Sequence, residues 1–271
     1  HVFTLRQYLL ALLDSRGLTR TLGEIDVCRD EQGRPCFSAG NSAAVFRIRL
    51  GGRIRSLRCY LRPMRHLKEI YGQRLLEKEL YLHTSPETGV WVDTVLGDWI
   101  EGSTLHETVA QAAALRDRES LQILVRLFDR LALALVTDNR AHGDLKPENI
   151  IVGDDGTLCP IDFDASYLPA FAGEISPELG TAAYQHPART AADFDERIDD
   201  YPAALISTAL HALAEDPTLW DRYGSSDGLL YTPQRIASDP AYRETLALFE
   251  KRGMAVQYRI AQLLTAPTLR L

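Results

Sequence analysis

Apolar and polar positions change their spacing twice along this chain. "PCFSAGNSAAVFRIRL" (35–50) and "RIRSLRCYLRP" (53–63) alternate as half-buried strands do, and Gly51-Gly52 between them predicts a tight antiparallel hairpin. "RHLKEIYGQRLL" (65–76) has helical spacing and predicts a helix. "KELYLHT" (78–84) and "VWVDTVLGDWIEG" (90–102) return to strand, separated by the turn "SPETG". From Ser103 onward the spacing is almost wholly helical. A helix over 119–139 sets Leu121, Leu124, Leu127, Leu131 and Leu135 on one stripe, and further helices are predicted at 198–214, 216–223, 240–251 and 254–265. The opening "HVFTLRQYLLALLDSRG" reads as an amphipathic helix, without the basic start and small-residue cleavage site of a signal peptide. The organisation expected is one domain over 1–271. It comprises an N-terminal helix segment (1–34), a sheet-rich lobe (about 35–99), a joint (about 98–103) and a larger helical lobe (about 104–271).

Composition narrows the class. The 271 residues are 45% hydrophobic and 25% charged, ordinary for a globular protein with a sizeable core. A net charge of −7 argues against sequence-independent binding to nucleic acid or anionic membrane. No apolar run approaches the roughly 18–20 residues that cross a bilayer. Cys28, Cys36, Cys59 and Cys159 form no CxxC pair and have no His cluster beside them, so free thiols in a cytoplasmic protein are expected. A chain opening at His1 reads as trimmed or processed.

The chemistry concentrates in "AHGDLKPENIIVGDDGTLCPIDFDAS" (141–166). Phosphoryl transfer asks for alignment, metal ions and neutralised charge rather than covalent help. Asp144 is suited to hold an attacking hydroxyl and accept its proton, and Lys146 to neutralise the moving group. Asn149 and Asp162 offer oxygen ligands for Mg²⁺ or Mn²⁺. The stretch between them is long enough for two short strands around "GDDGT", which would bring the two ligands back together.

The order and spacing of these residues resemble the catalytic loop and metal motif of the protein kinase superfamily. "GTAAYQHPA" (180–188) is similar to the segment closing a kinase activation region, and Thr181 matches the residue that contacts the catalytic Asp and Lys in serine/threonine kinases. Asp199 and Tyr201 fall where kinases anchor the catalytic loop. Lys146 is the serine/threonine form, and "GNSAAVF", "DWIEG" and "YQHP" are similar to a bacterial group of kinase-like proteins. The resemblance covers nearly the whole chain from about residue 36. It implies an α+β, protein kinase-like bilobal fold, with a small antiparallel-sheet N-lobe and a larger helical C-lobe. It also implies ATP and Mg²⁺ (or Mn²⁺) as cofactors and a protein substrate or partner of unknown identity, while charge and hydropathy argue against nucleic acid and membrane insertion.

The same resemblance assigns the nucleotide site and exposes departures. The phosphate loop G-x-G-x-x-G-x-V aligns to Ser38, Gly40 and Ala43 ending at Val45, so only the middle Gly survives, with Asn41 and Ser42 as hydrogen-bonding substitutes. Ser56 and Arg58 share a strand face. Arg58 stands in place of the Lys that grips the α- and β-phosphates, with Glu69 as its expected partner and Glu77 as the alternative. Gly97 falls at the gatekeeper and predicts an open pocket behind the adenine. The backbone of Asp98 and Ile100 would meet the adenine, and Thr104 the ribose. Asp164 replaces the Gly of the metal motif, Gly143 the Arg before Asp144, and Ala188 the Glu after Pro187. Ser166 and Ser176 remain as modification candidates. His186, His211 and Trp220 read as structural, and "DFDER" (193–197) as a solvated face.

Three functions follow: ATP/Mg-dependent transfer to Ser or Thr of a protein, a pseudokinase that binds nucleotide or a partner without efficient transfer, and a small-molecule phosphotransferase. Asp144, Lys146, Asn149, Asp162 and Thr181 together favour the first. Arg58, Asp164 and the thin glycine loop favour the second.

Overall fold

The structure, a computed structural model, describes residues 2–268. Its contacts divide the chain between Trp99 and Ile100 into two compact units.

The first unit is a six-stranded antiparallel sheet with one helix against it. Thr4 opens α1 (Leu5–Leu13) through a capping box with Gln7, satisfying two end groups at once. Tyr8 and Leu12 are buried, and the Tyr8 hydroxyl donates to the Tyr60 carbonyl. The strands are β1 (Asp26–Val27), β2 (Phe37–Ala39), β3 (Ala43–Leu50), β4 (Arg53–Tyr60), β5 (Leu75–His83) and β6 (Gly89–Asp98). Their order is β1-β3-β4-β6-β5, with β2 also paired to β3. Gly51 and Gly52, at φ 53° and 80°, make the β3–β4 hairpin as expected, because the tight turn needs positive φ at both positions. Alternation buries Phe46, Ile48, Leu57 and Cys59 with Leu80 and Leu82, and leaves Ser56 and Arg58 on the other face of β4.

Three expectations are corrected here. The helix expected over 65–76 is only α2 (Leu67–Tyr71), followed by a 3₁₀ turn at Gly72–Arg74. Gly72 leaves the helix at φ 57°, and Leu75 and Leu76 go into the ladder opposite Val95 and Thr94. These two apolar residues, which fit a helical stripe, are half-buried strand residues on opposite faces of β5. A bulge follows at Lys78 (φ 50°), whose amide is taken by the Asp93 carboxylate. The strand expected over 90–102 ends at Asp98, and the leading helix stops at Leu13, with turns and β1 filling the stretch to residue 34.

The second unit is mainly helical: α3 (Leu105–Ala114), α4 (Arg118–Thr137), α5 (Asp200–Glu215), α6 (Leu219–Tyr223), α7 (Pro240–Lys251) and α8 (Ala255–Leu263). α5 is its spine, with Tyr201, Leu205, Ile206, Leu210 and Leu213 all buried. On α4 the buried stripe runs Leu121, Leu124, Val125, Phe128 and Ala132. Leu127, Leu131 and Leu135 are only half-buried, so the core face is rotated from the one expected. Residues 140–199 are not helical. They hold β8 (Ile150–Gly153) and β9 (Leu158–Pro160), which join β7 (Gly102–Thr104) in a three-stranded sheet, and a series of 3₁₀ turns. The four cysteines are free, and among the described residues no helix is long and apolar enough to cross a membrane.

Candidate active site

The loop from Ala141 to Asn149 is held from beneath by Asp199, which is fully buried. Its carboxylate accepts the amides of His142 (2.6 Å) and Gly143 (3.0 Å), two backbone donors with no other place in a sheet or helix. Tyr201, expected to share this work, instead donates to the Leu264 carbonyl and packs its ring on His186. His142 completes the brace. Its Nδ1 accepts the Asp144 amide at 3.1 Å, which leaves Nε2 carrying the proton towards the Ile161 carbonyl at 2.7 Å. The ring thereby links the residue before Asp162 to the backbone of Asp144.

Asp144 is half-buried with both carboxylate oxygens engaged. Oδ1 accepts the Thr181 amide at 2.8 Å, and Oδ2 faces Asn149 Nδ2 at 3.3 Å. Asn149 Nδ2 also donates to the Asp144 carbonyl at 2.9 Å. With its nitrogen committed to Asp144, the Asn149 amide has its oxygen to offer elsewhere. Lys146 is half-buried and makes no ion pair among the described residues.

β8 and β9 return the chain as expected: Ile150 pairs Pro160, Gly153 and Thr157 close the "GDDGT" turn, and the Ile161 amide donates to the Asn149 carbonyl at 2.8 Å. Ile161 therefore lies across from Asn149, and Asp162 is the residue after it. It sits at φ 71°, a conformation that Asp tolerates better than most side chains and that costs of order 1 kcal/mol. Among the described residues no three His, Cys, Asp or Glu side chains converge as metal ligands. An Asn149 oxygen and an Asp162 carboxylate suit Mg²⁺, which commonly takes one or two protein oxygens and completes its shell with phosphates and water. Asp164, in place of the motif Gly, is buried, and Phe163 lies on the His142 ring.

The segment 176–189 closes over this loop. Gly180 (φ 75°) brings its Cα so near Gly143 that an added Cβ would lie 2.8 Å from the Gly143 carbonyl. This approach presents the Thr181 amide to Asp144. Arg189 is buried, and its guanidinium donates to Gln185 Oε1 (2.7 Å), Ser176 Oγ (3.1 Å) and the Gly143 carbonyl (3.4 Å). Burial pulls its pKa down, against the opposing pull of Asp199, Asp193, Asp144 and Asp195. Ser166 and Ser176, the modification candidates, are both buried. "DFDER" is likewise not simply a solvated face, since Phe194 is buried against Tyr167 and Phe171.

In the first unit, Ser38 and Gly40 are exposed on β2 and the turn after it, and Val45 pairs with both Ser38 and Arg58. Asn41 is exposed. Ser42 is buried and accepts from the Arg62 guanidinium at 2.9 Å. Glu69 is about half exposed, and its carboxylate pairs with His66 at 4.0 Å rather than with Arg58. Glu77 is exposed and makes no ion pair among the described residues. Glu69 sits on a helix of only five residues, and Glu77 lies on β5 rather than on that helix. At Gly97 an added Cβ would lie 2.9 Å from Ser56 Oγ, so part of the space expected to be open is taken by Ser56. Arg55 grips this strand end through the Gly97 carbonyl (3.1 Å) and Asp98 (3.6 Å). Beyond Trp99, Ile100 is half-buried and the Thr104 hydroxyl caps α3 by accepting the Glu107 amide.

Sequence reading did not single out His142, Arg189 or the pair of Glu148 with His106 (3.1 Å). The His before Gly-Asp carried a positional signal. The other two depend on contacts between distant segments. Burial acts to raise the Glu148 carboxyl, but His106, a backbone donor and the Lys146 charge together outweigh it and hold the group below the ordinary range. Burial pushes the nearby Tyr184 phenol up.

A sheet-rich unit, a helical unit and a braced Asp–Asn–Asp loop define a kinase-like α+β protein. No family model matches the chain. Over part of its length it is similar to serine/threonine protein kinases: CBL-interacting protein kinase 17 of Oryza sativa subsp. japonica (28% identical over 171 residues, 60% of this chain and 35% of that protein), PknL of Mycobacterium tuberculosis (34% over 113 residues, 40% and 27%) and chk1 of Schizosaccharomyces pombe (25% over 160 residues, 57% and 31%). These likenesses support placement in the protein kinase superfamily. The matched stretch spans about a third of the length of these relatives.

Proposed function

We propose that this chain transfers the γ-phosphoryl group of ATP, with Mg²⁺, to a serine or threonine hydroxyl of a protein. The observation that supports this best is the state of Asp144: one carboxylate oxygen is oriented by the Thr181 amide, the other by Asn149, and the loop beneath is pinned by Asp199. Such bracing has a clear use in a proton acceptor that must be aimed, since a misplacement of about 1 Å costs roughly 10²-fold in rate. In the reaction, the acceptor oxygen bonds to the γ-phosphorus while the bond to the β,γ-bridging oxygen breaks. Asp144 orients the hydroxyl and takes its proton. Lys146 offsets the charge on the moving group. Asn149 and Asp162 would hold Mg²⁺, which when bound neutralises phosphate charge.

A second reading, nucleotide or partner binding without efficient transfer, is favoured by a specific observation. Glu69 pairs with His66 on a five-residue helix, and Arg58 stands where a Lys is usual. Incubation with γ-labelled ATP and Mg²⁺ or Mn²⁺, alone and with a generic basic protein, decides between them. Label that appears with the natural chain and vanishes in Asp144→Ala supports transfer. Bound ATP with no label in any acceptor supports the second reading.

A further inference from the structure

Position 143, directly before Asp144, cannot carry a side chain. Gly143 sits at φ 87°, and a Cβ there would lie 2.1 Å from the Ala165 carbonyl oxygen, which is backbone and cannot swing aside. Position 143 itself can therefore supply no cation to the segment 176–189. One arrives from the opposite direction. Arg189 is buried, and its guanidinium joins the Gly143 carbonyl of the loop to Gln185 and Ser176 of its own segment.

Burying a guanidinium is costly unless the position rewards it. Here no carboxylate comes within ion-pair distance of Arg189 among the described residues, although several acidic groups surround it. A packing role alone would be met more cheaply by Met or Leu. The planar fork is what the position uses, because it alone reaches acceptors in three directions at once.

We propose that Arg189 is a positioning residue that ties the Asp144 loop to the segment 176–189, holding the Thr181 amide on Asp144. The inference rests on the transferase reading for its catalytic consequence, but not for its structural one. The tie is made by hydrogen bonds to a peptide carbonyl, a side-chain amide and a hydroxyl. Order in this segment is then built into the fold and needs no phosphate on it.

The test uses the full chain with Arg189→Gln and Arg189→Lys. Hydrogen exchange is followed at peptides covering 142–145 and 180–184, with melting and ATP affinity measured alongside. The expected result for Arg189→Gln is exchange at least about tenfold faster in those two peptides, with the α5 peptides unchanged. In transfer assays kcat falls by at least about tenfold with KM for ATP within about twofold, and Arg189→Lys recovers part of both. If Arg189→Gln does not fold, Arg189→Lys carries the same comparison against the natural chain. Unchanged exchange in both peptides, or a uniform increase across the whole second unit, overturns the proposal. A natural chain that transfers no phosphate defeats the functional reading instead, and the exchange data still decide the role of Arg189.

Discussion

The Asp199 carboxylate takes the Gly143 amide at 3.0 Å on one oxygen and the His142 amide at 2.6 Å on the other. A fully buried carboxylate at the N-cap of α5 thus carries the backbone of a loop more than fifty residues earlier. Asp199→Ala leaves two buried donors unpaired, and we expect a loss of about 2–4 kcal/mol in urea unfolding. A loss under about 0.5 kcal/mol would mean that the loop finds other acceptors.

Gly143→Ala places a methyl against the Ala165 carbonyl in a left-handed conformation. At least about 2 kcal/mol of destabilisation is expected. Gly156→Ala, also at positive φ but with open space around it, is the control and should cost only about 1 kcal/mol. Equal melting shifts for the two would remove the steric argument.

Asp144→Ala is expected to lower transfer by about 10²–10⁴-fold with little change in ATP affinity. Asp162→Ala should instead weaken ATP binding in the presence of Mg²⁺. Calorimetric titration separates the two. Unchanged Mg²⁺-dependent affinity in Asp162→Ala would show that Asp162 does not hold the metal. A gain in rate for Arg58→Lys would mark the site as a kinase site impaired by that one change.

Ser166 is buried, and the Ser176 hydroxyl is already engaged by Arg189. Mass spectrometry of the protein after prolonged incubation with ATP should find phosphate at neither. Stoichiometric phosphate at Ser176 would require the segment to open.

Against burial, Glu148 is held below its ordinary range by His106, a backbone donor and Lys146 together, so its contribution to stability is present above the unfolded carboxylate pKa of about 4.3 and is lost as pH falls through the lowered folded value. The group is partly exposed, which limits the effect to roughly a few tenths of a kcal/mol. Glu148→Gln should remove that acid-limb dependence from unfolding curves taken between about pH 5 and pH 3. An acid limb identical to that of the natural chain would show that the pair contributes nothing.

Much was readable from the chain because short-range rules governed it. Alternation and a Gly-Gly turn define the β3–β4 hairpin, and helical spacing locates α4, α5, α7 and α8 to within a residue or two at most ends. The order of Asp144, Asn149 and Asp162 with a turn between the last two predicts two short strands there, and β8 and β9 are those strands, with Ile150 opposite Pro160. Tertiary structure decided what local pattern leaves undetermined. Leu75 and Leu76 fit a helical stripe equally well, and only the neighbouring β6 makes them strand. The core face of α4 depends on which helix packs on it. Glu69 sits on a helix of only five residues, and its carboxylate pairs with His66. Arg189 gave no local signal at all, because its partners lie at Gly143, Ser176 and Gln185, and only folding brings the first of these beside it.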